Sequence, residues 1–235
     1  MLKGDVMQYV EYPIEEYVSR FIYRVFGFMS IALALTAGTA YYISTVPSIY
    51  LYFQQNSTML FGLFLFQIVI VVALSVFIAK LPMLVAALLF ILYAVSLGFT
   101  LSLIFLVYTQ ASIFTTFLTT AGMFGSMALF GYFTRSDLTK MGSLTMMALF
   151  GLIIGLVINM FLKSPMFDYI LSAIGVIIFT LLTAYDVQRI KQIARQLFMQ
   201  REAMNKVAIV GALTLYLDFI NLFLFLLRFV GQRKR

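Results

Sequence analysis

The chain has 235 residues, 16 Lys and Arg against 9 Asp and Glu, and an apolar fraction of 63%. Average proteins are roughly 45–50% apolar and roughly 25% charged; here only 11% of residues are charged, which excludes an ordinary soluble domain. The sequence contains neither Cys nor His, so disulfide frameworks, thiolate chemistry, zinc sites and histidine-based triads are excluded as well. Any metal would meet oxygen ligands, which suit hard cations such as Ca²⁺ or Mg²⁺.

Residues 1–20, MLKGDVMQYVEYPIEEYVSR, form a polar arm that carries Asp5, Glu11, Glu15 and Glu16. It is not a signal peptide, because no apolar core follows its charged start. Seven apolar segments come next, at about 21–46, 58–79, 83–107, 112–133, 142–162, 167–187 and 207–230. Each is near the ~20 residues that cross ~30 Å of hydrocarbon as a helix. The runs are continuous rather than alternating, which argues against a membrane β-barrel. The predicted fold is therefore all-α, a polytopic membrane protein with seven transmembrane helices. Three regions are expected: an acidic arm (1–20), a seven-helix membrane domain (21–230) and a basic tail (231–235). The bilayer is the implied partner. The net charge of +7 is read as an orientation signal, not as a nucleic-acid footprint.

Lys3, Arg20, Arg24, Lys80, Arg135, Lys140, Arg189, Lys191, Arg195, Arg201 and Lys206 all fall on one side of such a topology, while the opposite loops hold only Lys163. The positive-inside rule then places the amino terminus in the cytoplasm. Seven crossings put the carboxyl terminus outside, where the tail RFVGQRKR brings four basic residues to the side that should lack them. Either the late tail is tolerated or one segment does not cross; seven crossings is the reading kept. The connector between the last two spans contains IKQIARQLFMQ, whose apolar spacing suits a continuation of the sixth helix, a surface helix or a solvated link.

The informative residues are those a bilayer should exclude. Asp137 lies in a loop, Asp168 opens the sixth span as an interface residue or cap, and Glu202 sits in the connector. Asp186, in LLTAYDVQRI, and Asp218, in LYLDFINLFLFLLRF, remain. An ionised Asp at mid-membrane costs roughly 2.5–3.5 kcal/mol. The last two spans are consecutive and antiparallel, so the two side chains can meet. Touching carboxylates cannot readily both ionise, which yields a proton-sharing pair that needs no histidine. Deprotonated, the pair offers oxygens to a divalent cation. The structural alternative is hydrogen bonding to Tyr185, Tyr216, Asn221 or backbone. Lys80, in the short turn after the second span, can snorkel to the surface or turn inward toward an Asp. Arg228 reads as an interface anchor, and Arg189 as a surface charge or local partner of Asp186. Gly122, Gly125, Ala128 and Gly131 in the fourth span suggest close helix packing. No enzyme constellation is present. Intramembrane aspartyl proteases also pair two Asp on adjacent helices, but they resemble a YD…GxGD pattern, and LYLDF lacks the Gly-x-Gly-Asp; the chain is read as a non-enzyme.

The blocks FLTTAGMFGSMALFGYFTRSDLTKMG, LLTAYDVQRIKQ and GALTLYLDFINLFLFLLRFVG resemble the transmembrane Bax-inhibitor-motif family, also called the Bax inhibitor-1 family, and its bacterial inner-membrane members most closely. The resemblance implies six helices around a central seventh and a pH-sensitive Ca²⁺ leak, with Ca²⁺ as the permeant ion and no bound cofactor. It implies that Asp186 and Asp218 form the pH-sensing pair and line the Ca²⁺ pathway. It also implies that Lys80 occupies the position of a basic latch to the sixth-helix Asp, where a bacterial pattern has Arg. Lysine lacks the guanidinium's bidentate fork. A rival role implied by the family is that of a non-transporting modulator that binds a membrane-anchored ATP-dependent protease, with the acidic arm as docking element. A small-metabolite transporter is the third reading.

Overall fold

The computed structural model describes residues 2–46, 48, 56–78, 80–197 and 201–234. They form seven long helices and one short turn of helix: α1 (Leu2–Ser44), α2 (Ser57–Val76), α3 (Met83–Leu101), α4 (Ile104–Val107), α5 (Gln110–Phe133), α6 (Thr139–Leu162), α7 (Pro165–Gln196) and α8 (Arg201–Val230). Seven stretches are long and apolar enough to cross a membrane. Helices are the expected solution there, since they satisfy every backbone polar group internally. Among the described residues the sole bridge of β type is an isolated antiparallel one between Tyr108 and Arg233.

Three features add detail to the sequence reading. α1 continues without a break from Leu2 through the arm into the first apolar segment; the side chains of Asp5 and Glu11 lie outside the described residues. The third span is interrupted after Leu101. There Leu103 N–H donates to the Thr100 carbonyl at 3.3 Å, a tightened turn of the 3₁₀ type. The connector after the sixth span is largely helix: α7 runs on to Gln196 and α8 begins at Arg201, which favours continuation over a solvated link. Residues 198–200 and the side chain of Glu202 lie outside the described residues.

The chain divides into two compact units. The first comprises residues 1–103 and 190–213, the second residues 104–189 and 214–235. In the first unit α3 packs against both α1 and α2. Gly98 brings α3 so close to α1 that a Cβ would stand 2.6 Å from Thr39 Cβ and 2.8 Å from the Thr36 carbonyl oxygen. Buried polar atoms here are uncharged and matched across helices. Thr36 Oγ1 lies 2.9 Å from the Ala94 carbonyl oxygen. Gln67 Nε2 donates to the Ser96 carbonyl at 3.0 Å and to Thr100 Oγ1 at 2.8 Å. Glu15 pairs with Arg195, and Arg24 donates to Asn205 at 3.3 Å.

In the second unit the packing is aromatic. Phe219 of α8 meets Phe117 and Phe124 of α5 edge-on, both at 5.4 Å, and Phe225 stacks on Phe179 of α7 at 5.7 Å. The basic tail is tied down. Thr109 N–H donates to the Gln232 carbonyl at 3.1 Å and Lys234 N–H to the Val107 carbonyl at 2.8 Å. Lys234 Nζ donates to the Phe105 carbonyl at 2.7 Å. Backbone pairing thus holds the tail against the segment that precedes α5. Span burial is uneven: 72% of the most apolar window of Asn205–Val230 is buried, against 17% for Thr58–Val76 and Thr139–Leu162. The last span is thus the most enclosed, and it carries Asp218.

Candidate functional site

Two features of α7 and α8 bring the acidic residues together. Both helices are uninterrupted through the relevant positions, and both lie against α5 within the second unit. Gly131 of α5 sits against the backbone of Ala184, where a Cβ would stand 2.2 Å from the carbonyl oxygen. Gly142 of α6 accommodates the Tyr185 ring, with a Cβ 2.3 Å from Cδ2. These two close approaches fix α7 immediately beside Asp186. On α8, the contacts of Phe219 with Phe117 and Phe124 fix the position next to Asp218.

Asp186 and Asp218 are 7% and 5% exposed, and their carboxyl groups lie close enough to interact directly. Two touching carboxyl groups cannot readily both be ionised, because like charges in contact raise the cost of the second charge. Arg189, itself exposed, lies close enough for its charge to act on Asp186. Asp218 Oδ2 is buried and has no hydrogen-bond partner among the described residues. Asn221, a candidate structural partner in the sequence, uses its amide on the Leu217 carbonyl of its own helix, at 2.8 Å.

The other acidic and basic candidates have surroundings of their own. Lys80 is an exposed residue of the turn after α2, with its N–H donating to the Phe77 carbonyl at 2.9 Å; it belongs to the first unit, the pair to the second. Asp168 is in the first turn of α7, where a negative charge suits the helix dipole, but the capping hydroxyl is that of Ser164, which accepts from Phe167 N–H at 3.3 Å. Asp137 accepts from both the N–H (2.9 Å) and the hydroxyl (2.5 Å) of Thr139. Those bonds hold its carboxyl below the usual carboxylate range, Thr139's hydroxyl contributing most. Arg228 lies over the Phe225 ring, 5.7 Å from its centroid. Among the glycines of α5, only Gly131 makes the expected close approach; around Gly122 and Gly125 there is open space.

Among the described residues no group of three or more acidic side chains could hold a metal ion. Two carboxyl groups and one spare oxygen suit transient contact with a cation better than a resident cage of six to eight oxygens. One residue escapes a reading of the sequence: Gln188, 8% exposed, accepts from Leu138 N–H at 2.9 Å and donates to the Ser136 carbonyl at 2.8 Å. Its position two residues after Asp186, at the membrane edge, is the only available signal.

Comparison with known proteins places this site in context. The family described as "Inhibitor of apoptosis-promoting Bax1" matches residues 18–235. The chain is 46% identical over 216 residues to a protein of Borreliella burgdorferi, covering 92% of this chain and 93% of that one. It is 45% identical over 212 residues to the inner membrane protein YbhL of Escherichia coli strain K12, covering 90% and 91%. A protein of Rickettsia prowazekii is 40% identical over 223 residues, covering 94% and 92%.

Proposed function

The chain belongs to the Bax inhibitor-1 family of membrane proteins, and from that premise we propose that it is a pH-sensitive Ca²⁺ leak of the inner (cytoplasmic) membrane, gated by Asp186 and Asp218. One observation carries the reading: two carboxyl groups buried next to each other inside the last two spans, with Asp218 Oδ2 lacking a partner among the described residues. With its shared proton the pair is compact and carries one charge at most. Without the proton, two like charges stand in contact where little solvent screens them. They repel, and the separated oxygens suit Ca²⁺ as passing cargo. Arg189 offers a local countercharge, and Lys80 is the candidate latch that compensates Asp186 in the closed state. The membrane address follows YbhL, named as an inner membrane protein, and the amino terminus is assigned to the cytoplasm from the distribution of Lys and Arg.

The test is Ca²⁺ entry into liposomes holding the purified protein, scanned from about pH 5.5 to about pH 8.5, a range that a buried carboxyl pair can reach. Wild type, Asp186→Asn and Asp218→Asn run side by side. Flux whose pH dependence vanishes in both variants supports the gate; folded wild type without flux at any pH sinks it. A second reading has one observation in its favour, the extension of α1 outward to Leu2, which presents a helical arm to a partner. In that reading the protein restrains a membrane-anchored ATP-dependent protease without transporting. Co-purification of such a protease, lost on deleting the residues before Ser19 while flux is absent, selects it.

A further inference from the structure

Around Asp186, α7 is held on two sides. One side bears the Asp186 carboxyl group, next to that of Asp218. The other bears Ala184 against Gly131, Tyr185 against Gly142, and Gln188 bonded to the loop between α5 and α6. Residues 186 and 188 are about 200° apart around the helix at about 100° per residue, so Gln188 engages the loop from roughly the face opposite the carboxyl. Ala184 and Gln188 share a face, one turn apart.

We propose that Gln188 is the positioning residue of the carboxyl pair: by gripping residues 136–138 it locks the turn of α7 that carries Asp186 and so sets the reach between Asp186 and Asp218. The inference rests on reading that pair as the working group. The amide is well matched to the task. Leu138 N–H can only donate and the Ser136 carbonyl can only accept, so both ends of the amide are used and its orientation is determined. Leu138 occupies the N-cap position of α6 with no side-chain cap of its own; Gln188 accepts from the N–H of that N-cap residue, the bond that a Glu or Gln at N3 makes in a capping box. Both partners are backbone groups, so the grip is on the fold of the loop itself. The loop is also braced by Asp137, which accepts from Thr139. It therefore acts as a stiff anchor, and a change at Gln188 is transmitted to α7 instead of being absorbed by the loop.

The natural chain contains no Cys, which permits a direct test. Asp186→Cys and Asp218→Cys are combined, and the purified, monodisperse protein is treated with a short bifunctional thiol reagent. Cross-linking reports the reach between the two positions without depending on any carboxyl chemistry. With Gln188 present the pair cross-links rapidly. With Gln188→Met, similar in length but unable to make either bond, the rate falls about tenfold, as expected when a near-contact geometry is loosened. Gln188→Asn, one methylene too short to keep both bonds, falls between them and carries the comparison if the Met variant does not fold. A purely structural role would lower yield and melting temperature in proportion but leave the cross-linking rate of the folded fraction unchanged; equal rates in all three backgrounds overturn the proposal, as does failure of the pair to cross-link with Gln188 intact. Ca²⁺ flux is measured separately on the Asp-containing protein. Absent flux with cross-linking still governed by Gln188 removes the leak reading alone, whereas intact flux with unchanged cross-linking removes the positioning role alone.

Discussion

The two units bury polar atoms in opposite ways. In the first, Thr36, Gln67 and Ser96 are uncharged, and Thr36 and Gln67 reach partners across the helix pairs. In the second, the buried set includes two neighbouring carboxyl groups, with Asp218 Oδ2 lacking a partner among the described residues. A bilayer offers no water to repair such a deficit. The first arrangement fits helices that must stay together. Under the proposed function the second is a group that changes state with its proton.

The sharpest test makes the same kind of substitution in both units. Replacing Asp186 and Asp218 together by Leu removes both members of a buried polar pair, a change that is often nearly neutral or stabilising. Under the proposed function the same protein shows no pH-dependent Ca²⁺ flux. Gln67→Leu removes a satisfied interhelical donor instead, and is expected to destabilise by about 0.6 kcal/mol and at most about 1.7 kcal/mol, with flux retained. Thermal unfolding in detergent and liposome flux check both. If the double Leu variant is strongly destabilised, the pair is a structural element and the contrast between the units collapses.

A second comparison lies inside α5. Gly131→Ala drives a Cβ to 2.2 Å from the Ala184 carbonyl oxygen, a backbone atom that cannot swing aside. Overpacking of this sort costs typically about 1–3 kcal/mol, and here it also displaces the segment beside Asp186. Gly122→Ala and Gly125→Ala meet open space and gain helix propensity, worth up to about 1 kcal/mol. Melting temperatures of the three variants should therefore split in sign. A loss common to all three would show that the whole stripe packs.

That split also shows how much is legible in the sequence. The spans are readable because apolar runs of membrane length leave few alternatives, and Asp186 and Asp218 stand out because a carboxyl group in such a run is costly. The stripe Gly122, Gly125, Ala128 and Gly131 looks uniform, yet among its glycines only Gly131 makes the tight approach. Small residues permit close packing without demanding it, and which of them is used depends on the partner helix. The helical continuation to Gln196 is one of three open alternatives in the sequence, since its apolar spacing suits each. Gln188 is invisible for a different reason: its partners are the N–H of Leu138 and the carbonyl of Ser136, and backbone groups leave no signature in composition or spacing. The tail misleads in the same way. Its charges draw attention, while the bonds that hold it are mostly main-chain.

The smallest effect concerns Asp137, a fully solvated loop carboxyl group that serves as a control for the buried pair. The Thr139 hydroxyl and N–H stabilise its ionised form, so its folded value lies below the ordinary one. A depressed folded value means that the contribution to stability is fully present above the unfolded value, about 3.9 for Asp, and disappears as pH falls through the folded value. Asp137→Ala should therefore melt slightly below wild type at neutral pH, and the two should converge in acid. The anchor for Gln188 is weakened as well, because the Thr139 bonds brace the same loop. Convergence in acid, together with slower neutral-pH cross-linking when Asp137→Ala is added to the Asp186→Cys, Asp218→Cys variant, ties the small surface effect to the buried site. A melting difference that persists unchanged into acid would mean that Asp137 acts through packing and not through its charge, and the loop would then owe its stiffness to Gln188 alone.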